Sequence, residues 1–266
     1  MRIFNVIKNQ MGFITKFDDS KSKFLALANA FLFTFIINYL KAKRVMRPLV
    51  KKEFKVKVNF QGMKFFLRFP SADFSALNET CHKGIYDRSK IPRGVIFDLG
   101  AHVGTFTIKH ALKKENKIFS FEPAPPNFKL LEENVKLNKL KNVTLFDHAV
   151  SDYLGTSKLY LSDMSSVNPA LDGKGNNYVN VKVFTLDFVV NKLKINRVDF
   201  LKIDVERSEI DLLKGGKKTL KKFHPVIAIE TKDFENIIHF LKPLGYKHFT
   251  FGRSYSSGNL NMMYCR

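Results

Sequence analysis

From Gly94 onward, short apolar runs alternate with longer segments whose apolar positions recur at helical spacing. The runs Gly94 to Gly100 (GVIFDLG), Lys117 to Phe121 (KIFSF), Val143 to Asp147 (VTLFD), Val198 to Asp204 (VDFLKID) and Pro225 to Glu230 (PVIAIE) read as buried strands. Between them, Val103 to Leu112, Pro125 to Asn138 and Glu209 to Leu220 have the spacing of helices. Such alternation predicts an α/β fold with a doubly wound, mostly parallel sheet and helices on both faces. The tail segments Gly245 to Phe251 and Asn259 to Tyr264 are expected to add two antiparallel edge strands, making seven in all.

The pattern before Gly94 is different. Residues 1 to about 50 are helical in character and basic, and Arg47-Pro48 closes them. Phe54 to Phe60 and Met63 to Phe69 then alternate with period two on either side of Gln61-Gly62, which predicts a β-hairpin. A short helical stretch, Ala72 to Tyr86, follows before Pro92. The expected organisation is therefore an N-terminal helical and hairpin extension over residues 1–90 and a principal domain over residues 91–266. Within that domain, two strand-like segments in Ser157 to Phe184 flank a polar loop, residues 163–177. A long loop in a compact domain is commonly a lid or a binding loop.

Charge changes the picture at the N-terminal end. The chain carries 45 Lys and Arg against 24 Asp and Glu, a formal net charge of +21. Residues 1–60 hold thirteen of the basic residues and three of the acidic ones. This balance favours polyanions (nucleic acid, anionic lipid or phosphate-bearing substrates) or else a solvated, lysine-rich surface. Phe24 to Leu40 is an apolar run with lysines or arginines on both sides. It has three readings: a helix packed on the main domain, an interfacial anchor over residues 24–52, or a span at the lower limit of length. Two cysteines, Cys81 and Cys265, have no metal-ligand spacing, so no zinc site or disulfide framework is expected and the compartment is expected to be reducing.

The candidate chemistry starts at Asp98-Leu99-Gly100-Ala101-His102-Val103-Gly104. An acidic residue ends a buried strand, and glycines follow where the chain must turn tightly into a helix. The three-glycine dinucleotide fingerprint differs, because its backbone is shaped for a pyrophosphate. A leading carboxylate suits a positively charged amino acid part of a cofactor instead. Glu122 ends the next strand, where folds of this type place a carboxylate against ribose hydroxyls. Asp147 and His148 lie at the end of the third strand, where an adenine is expected.

Together with FEPAPPNFKLLEENVKLN (121–138), FTLDFVV (184–190), VDFLKIDVERSEIDLLKGG (198–216) and PVIAIE (225–230), the run FDLGAHVGTFT (97–107) resembles the FkbM family of methyltransferases. The resemblance implies a Rossmann-like methyltransferase sheet, S-adenosylmethionine as cofactor and methyl transfer to a hydroxyl of a sugar, glycan or related natural product. It supports Asp98, Gly100, Gly104 and Glu122 as cofactor residues, with His102 in the same loop, and Lys202, Asp204, Glu206 and Glu209 as a second block. The alternation in Lys202-Ile203-Asp204-Val205-Glu206 sets Asp204 and Glu206 on one face if the strand persists. Either carboxylate is a candidate to orient the acceptor or take its proton, with His102 an outside candidate. Lys202 is expected to pair with a neighbouring carboxylate, and Glu209 to stabilise a helix N-terminus. Two departures stand out: His102 replaces the family's usual Asn, and Arg207 replaces the usual Gly after Asp-x-Glu.

The rival readings are an RNA methyltransferase, on the strength of the charge, and a non-catalytic basic protein that binds membrane or nucleic acid. A nicotinamide dehydrogenase is a weaker rival, since the third glycine of its fingerprint is misplaced. The base-methylation motifs and catalytic cysteine pairs of RNA enzymes are not found in the sequence. The expected setting is cytoplasmic with peripheral contact to anionic membrane, an acceptor that is free, lipid-linked or nucleotide-linked, and no metal.

Overall fold

The computed structural model describes residues 10–32, 54–88, 90–161, 171, 176–253 and 260–266. Its centre is a seven-stranded sheet in the order β11-β12-β10-β9-β3-β4-β5. The strands are β3 (Val95–Leu99), β4 (Lys117–Phe121), β5 (Val143–Phe146), β9 (Phe200–Ile203), β10 (Val226–Glu230), β11 (Phe249–Arg253) and β12 (Leu260–Cys265). Only β12 runs antiparallel, and it lies between β10 and β11. Of the two tail strands expected at an edge, β11 alone occupies one. From β3 the chain steps outward through β4 and β5, then returns to place β9 and β10 on the other side. The order reverses between β3 and β9, and open α/β sheets bind ligands at such a point, beyond the carboxyl ends of the strands.

Helices α3 (Thr105–Ala111), α4 (Pro125–Leu137), α5 (Leu186–Lys192), α6 (Glu209–Gly215), α7 (Lys217–Phe223) and α8 (Phe234–Leu241) flank the sheet. The continuous helix expected from Glu209 to Leu220 is two helices, broken at Gly216, whose added Cβ would meet the Leu186 side chain at 2.9 Å. The strand residues alternate between two apolar layers. Phe97, Leu99, Leu201, Ile203, Ile227 and Ile229 pack with α5 to α8, while Ile96, Ile118, Phe200 and Ala228 pack with Phe106 and Tyr86.

The N-terminal extension contributes α1 (Ser20–Phe31), the hairpin β1 (Phe54–Phe60) and β2 (Met63–Phe69), and α2 (Asp73–Leu77), which runs into a π-helical turn at Asn78–His82. The hairpin closes over Gln61 and Gly62 at φ 50° and 75°. Two successive positive φ values are the geometry whose twist matches paired strands. Two asparagines one turn apart, Asn134 on α4 and Asn138 at its C-cap, satisfy the free edge of β2. Asn134 exchanges hydrogen bonds with the backbone of Phe66, and Asn138 with that of Lys64. Val58, Phe60, Phe65 and Leu67 of the hairpin share one core with Val103, Ile108 and Leu130 of the main domain. Across the boundary expected near residue 90, the packing is continuous.

The segment after β5 forms a second, three-stranded sheet, β6 (Ala149–Val150), β8 (Tyr178–Phe184) and β7 (Gly155–Tyr160) in that order. The two strands expected around the polar loop are β7 and β8. Of the loop itself, 163–170 and 172–175 lie outside the described residues, as do 33–52 of the apolar N-terminal stretch. Among the described residues no helix is long and apolar enough to cross a membrane.

Candidate active site

A cavity of about 280 Å³ opens beyond the carboxyl ends of β3, β4, β9 and β10. One side is built by the glycine loop. Gly100 and Ala101 both donate to the Phe121 carbonyl, at 3.0 and 2.9 Å, which folds the loop over the end of β4. Gly100 has φ +83°, and a Cβ there would stand 1.8 Å from the Asp204 carbonyl oxygen. The position therefore needs glycine twice over, for its backbone angle and for the close approach of the neighbouring strand. Gly104, at φ +89°, is the residue before α3, and its added Cβ would meet Leu131 at 2.6 Å. Its freedom serves helix packing, and it does not line the cavity.

His102 also sits in the left-handed region, at φ +53°. Asn and His are among the side chains that tolerate this conformation, a physical reason for the interchange at this position. Its Nε2 lies 3.2 Å from Arg68 Nη2 and 3.4 Å from Asp73 Oδ1, and burial holds its pKa below the ordinary value. Arg68 and Asp73 are themselves a buried two-pronged pair, with Nε to Oδ2 at 2.9 Å and Nη2 to Oδ1 at 2.7 Å. The extension thus grips the glycine loop directly, and Asn134 adds a 2.9 Å bond to the Val103 carbonyl.

Asp98 lies beneath the cavity floor and not on its wall. Its carboxylate accepts from the Thr107 hydroxyl at 2.6 Å and faces Lys202 Nζ at 3.1 Å. Lys202 also lies 3.6 Å from Asp204 and donates to the Gly100 carbonyl. Burial works against its charge, but Asp98 and then Asp204 outweigh it and hold the ammonium above its usual pKa. Lys202 therefore ties the two blocks together, the structural role expected of a cation on a central strand.

Glu122 lines the cavity at the end of β4. It accepts from the backbone of His102 at 2.8 Å and of Ala124 at 3.0 Å, and from Asn127 Nδ2 at 3.3 Å. Burial raises its pKa against those bonds. Beside it, Asn127 lines the cavity, and its buried Oδ1 has no hydrogen-bond partner among the described residues. An unmatched acceptor next to a carboxylate fits a ligand rich in donors, such as a ribose with its hydroxyls. His148 lines the same side with Phe121, Pro123, Ala149, Val150 and Leu159, its ring 4.2 Å from that of Phe184. These are flat, weakly polar surfaces suited to an aromatic base. Asp147 is 68% exposed, pairs with His148 at 2.7 Å and stays off the wall.

The opposite side holds the second block. β9 ends at Ile203, so Asp204 and Glu206 do not share a strand face as expected. A loop carries them instead, with Glu206 at φ +46° and Arg207 at φ +71°, and both carboxylates still reach the cavity. The left-handed angle at 207 is where glycine is the easy choice, and Arg207 holds it without that freedom. Glu209 accepts from the Arg207 N–H at 2.8 Å in the first turn of α6, supporting the helix start.

Tyr86, Glu79 and Glu230, which the sequence did not place in the site, complete this side. Tyr86 donates to Asp204 Oδ2 at 2.9 Å, its ring edge-on to Phe106 and 5.4 Å from Lys202 Nζ. The Tyr264 hydroxyl bonds the carbonyl of the preceding residue, Ile85, and so fixes that turn from β12. Glu79 lines the wall from the π-helical turn. Glu230, at the end of β10, accepts from Asn261 at 2.6 Å. Burial, reinforced by Asp204 and Glu209, raises Glu206 to about 7; burial with Asp204, Glu79 and Glu206 raises Glu230 to about 9. Arg207 opposes the rise at Glu206 without cancelling it. Of these residues, Glu230 alone had a local signal, an acidic strand end beside β9. Among the described residues no group of three or more His, Cys, Asp or Glu is arranged to hold a metal ion.

Known proteins resemble this chain in the same region. The family described as the methyltransferase FkbM domain matches residues 98–248. "Methyltransferase 1" of Beauveria bassiana is 28% identical over 165 residues, 52% of this chain and 66% of its own length. "2-O-methyltransferase NoeI" of Sinorhizobium fredii is 26% identical over 159 residues, 53% of this chain and 65% of its own length. The chain thus spans just under two thirds of these relatives. The crystal structure of an FkbM methyltransferase from Methylobacillus flagellatus superposes with a TM-score of 0.53 at 15% identity, covering 100% of this chain and 60% of the other, which is a likeness of fold. More than half of the chain matches the family, across the glycine loop, Glu122 and the Asp204 loop. The protein belongs to the FkbM methyltransferase family and carries an S-adenosylmethionine-dependent methyltransferase domain.

Proposed function

We propose that this protein methylates a hydroxyl of a sugar, a glycan or a related natural product, with the acceptor free, nucleotide-linked or lipid-linked, on the cytoplasmic side. The observation that carries this reading is the polarity of the cavity. Its β4 side offers Glu122, the orphan acceptor of Asn127 and the flat surface around His148, while its β9 side offers Asp204 and Glu206. S-adenosylmethionine supplies an electrophilic methyl group on a sulfonium. Glu122, Asn127 and His148 would hold its nucleoside end, and Gly100 to His102 its amino acid end. Asp98 acts through Lys202, as a positioning residue beneath that loop.

On the acceptor side the residues have divided roles. Asp204, fixed by Tyr86 and Lys202, accepts a hydrogen bond from the acceptor hydroxyl and aims its oxygen. Glu206 takes the proton, because a carboxyl raised to about 7 is both available as a base and strong enough to hold what it receives. The negative surroundings also favour a cationic donor over its neutral product, which aids turnover. The 2-O-methyltransferase name of one relative supports an oxygen acceptor.

The test is calorimetric titration of S-adenosylmethionine into the wild type and Glu122→Ala, followed by transfer of labelled methyl to a panel of sugars and sugar nucleotides. Micromolar binding that is lost in the variant, with label in a base-stable ether, is the expected result. Absence of binding by the folded wild type sinks the cofactor assignment. Label entering RNA instead of any sugar favours the nucleic-acid enzyme.

A further inference from the structure

Helix α1 presents its residues the opposite way from a helix packed on a core. Its inward face is Ser22, Ala26 and Asn29, all buried, whereas Phe24 and Leu27 point outward, 67 and 51% exposed. Phe31, one turn on, is 65% exposed. Specific polar bonds hold the inward face. The Ser22 hydroxyl accepts from the Asn59 N–H at 3.0 Å and donates to Asp19 at 2.8 Å. Asn29 exchanges two bonds with the backbone of Ser71, at 2.8 and 3.2 Å. At about 100° per residue, Phe24 and Leu27 form one stripe opposite the buried face. Lys21 and Lys23, both exposed, stand on either flank of that stripe.

An ordinary surface helix buries its apolar side and shows its polar one. This helix is anchored by polar bonds together with Ala26 and Leu25 against the hairpin core, which leaves Phe24 and Leu27 to another phase. An apolar stripe edged by lysines matches a bilayer interface, where aromatic and aliphatic groups enter the acyl boundary and ammonium groups meet anionic headgroups. Asp19 at the start of the helix is held by Ser22 and Asn59, and Asp18 accepts from the Gly62 N–H. The charge of the surrounding sequence is of the right sign, thirteen basic against three acidic residues over positions 1–60.

We infer that α1 is a membrane-surface anchor that seats Phe24 and Leu27 in an anionic bilayer, with Lys21 and Lys23 against its headgroups. The anchor is joined to the cavity: Asn29 holds Ser71, and Ala72, Ser75 and Ala76 immediately beyond it line the cavity wall. Lipid binding follows from α1 alone and does not depend on what the cavity methylates.

The experiment is vesicle co-sedimentation of the full chain with neutral phosphatidylcholine vesicles and with vesicles containing one third phosphatidylglycerol. It uses the wild type, Phe24→Ser/Leu27→Ser and Lys21→Glu/Lys23→Glu, with melting temperature and light scattering on each. The expected result is binding to the anionic vesicles that falls at least tenfold in both variants at unchanged melting temperature, and much weaker binding to the neutral ones. Three results would overturn the inference. In one, both variants bind anionic vesicles as the wild type does, or the wild type binds none. In another, the wild type is a dimer that Phe24→Ser/Leu27→Ser makes monomeric, so that a second copy covers the stripe. In the third, single-stranded RNA is bound in a way that needs the lysines but not Phe24 and Leu27, so that the basic rim serves nucleic acid.

Discussion

The phenolic hydroxyl of Tyr86 donates to the Asp204 carboxylate at 2.9 Å, across 118 positions of sequence. This bond joins the last turn of the N-terminal extension to the loop after the fourth parallel strand. It makes the extension part of the proposed acceptor site.

Tyr86→Phe removes that donor and keeps the ring against Phe106. A hydrogen bond to a charged group contributes about 1.5–3 kcal/mol, so turnover should fall about tenfold or more while S-adenosylmethionine binds as before. Single-turnover rates and calorimetric titration separate the two. An equal loss of cofactor affinity would show that Tyr86 acts on the glycine loop instead.

Glu206 gives a pH prediction in two readouts. Its pKa is raised from 4.5 to about 7, so the folded state holds a proton that the unfolded chain has released between those values. That group's contribution to stability is therefore present below about pH 4.5 and lost as pH rises toward 7. Glu206→Gln should melt higher than the wild type at pH 8, with the gap closing toward pH 4.5. Activity of the wild type should rise with pH through about 7, and the variant should lose that limb together with most of its rate.

Arg207→Gly tests the loop. Removing the guanidinium takes away the cation that opposes the rise at Glu206, so the pH midpoint of activity should move to a higher value. Relief of the left-handed angle contributes about 1–2 kcal/mol, partly offset by the freer unfolded chain. The melting temperature should not fall, and a clear drop would mean that the contacts of the Arg207 side chain outweigh the strain.

Gly100→Ala and Gly62→Ala form a controlled pair. Both positions have positive φ, but an added Cβ meets the Asp204 carbonyl at 1.8 Å in the first and nothing within 4 Å in the second. Denaturant titration should give about 1 kcal/mol lost at Gly62, the backbone term alone. At Gly100 about 3 kcal/mol or more should be lost, together with cofactor binding. Similar losses at both sites would mean that the loop moves away from β9 at little cost.

Asp98→Asn and Glu122→Gln should separate stability from binding. Asp98 is the buried partner of Lys202, and breaking a buried pair costs about 3–5 kcal/mol. Glu122 faces the cavity, so its variant should keep most of its stability and lose affinity for S-adenosylmethionine. Thermal melts and calorimetry on both proteins decide the matter. A stable Asp98→Asn that cannot bind would put the carboxylate in direct contact with cofactor.

The sequence by itself determined what local pattern encodes. Period-two alternation around Gln61-Gly62 sets the hairpin, because two adjacent positive φ values suit few other pairs of strands. Apolar runs between helical segments set the parallel sheet, and with it the edge where Asp98, Glu122 and Asp204 emerge. Only the tertiary structure decided which way each side chain turned. Asp98 went under the floor because Lys202 is its partner across β3 and β9, while Asp147 went to solvent. The strand expected to carry Glu206 stopped at Ile203, and Glu206 reached the cavity through two left-handed residues. Tyr86 and Glu79 joined the site from a segment that carries no motif, since chain distance says nothing about contacts made by packing one core on another. Helix α1 is the sharpest case: its apolar run left a packed helix, an interfacial anchor and a span open, and the polar bonds of Ser22 and Asn29 fix one face inward and leave Phe24 and Leu27 outside.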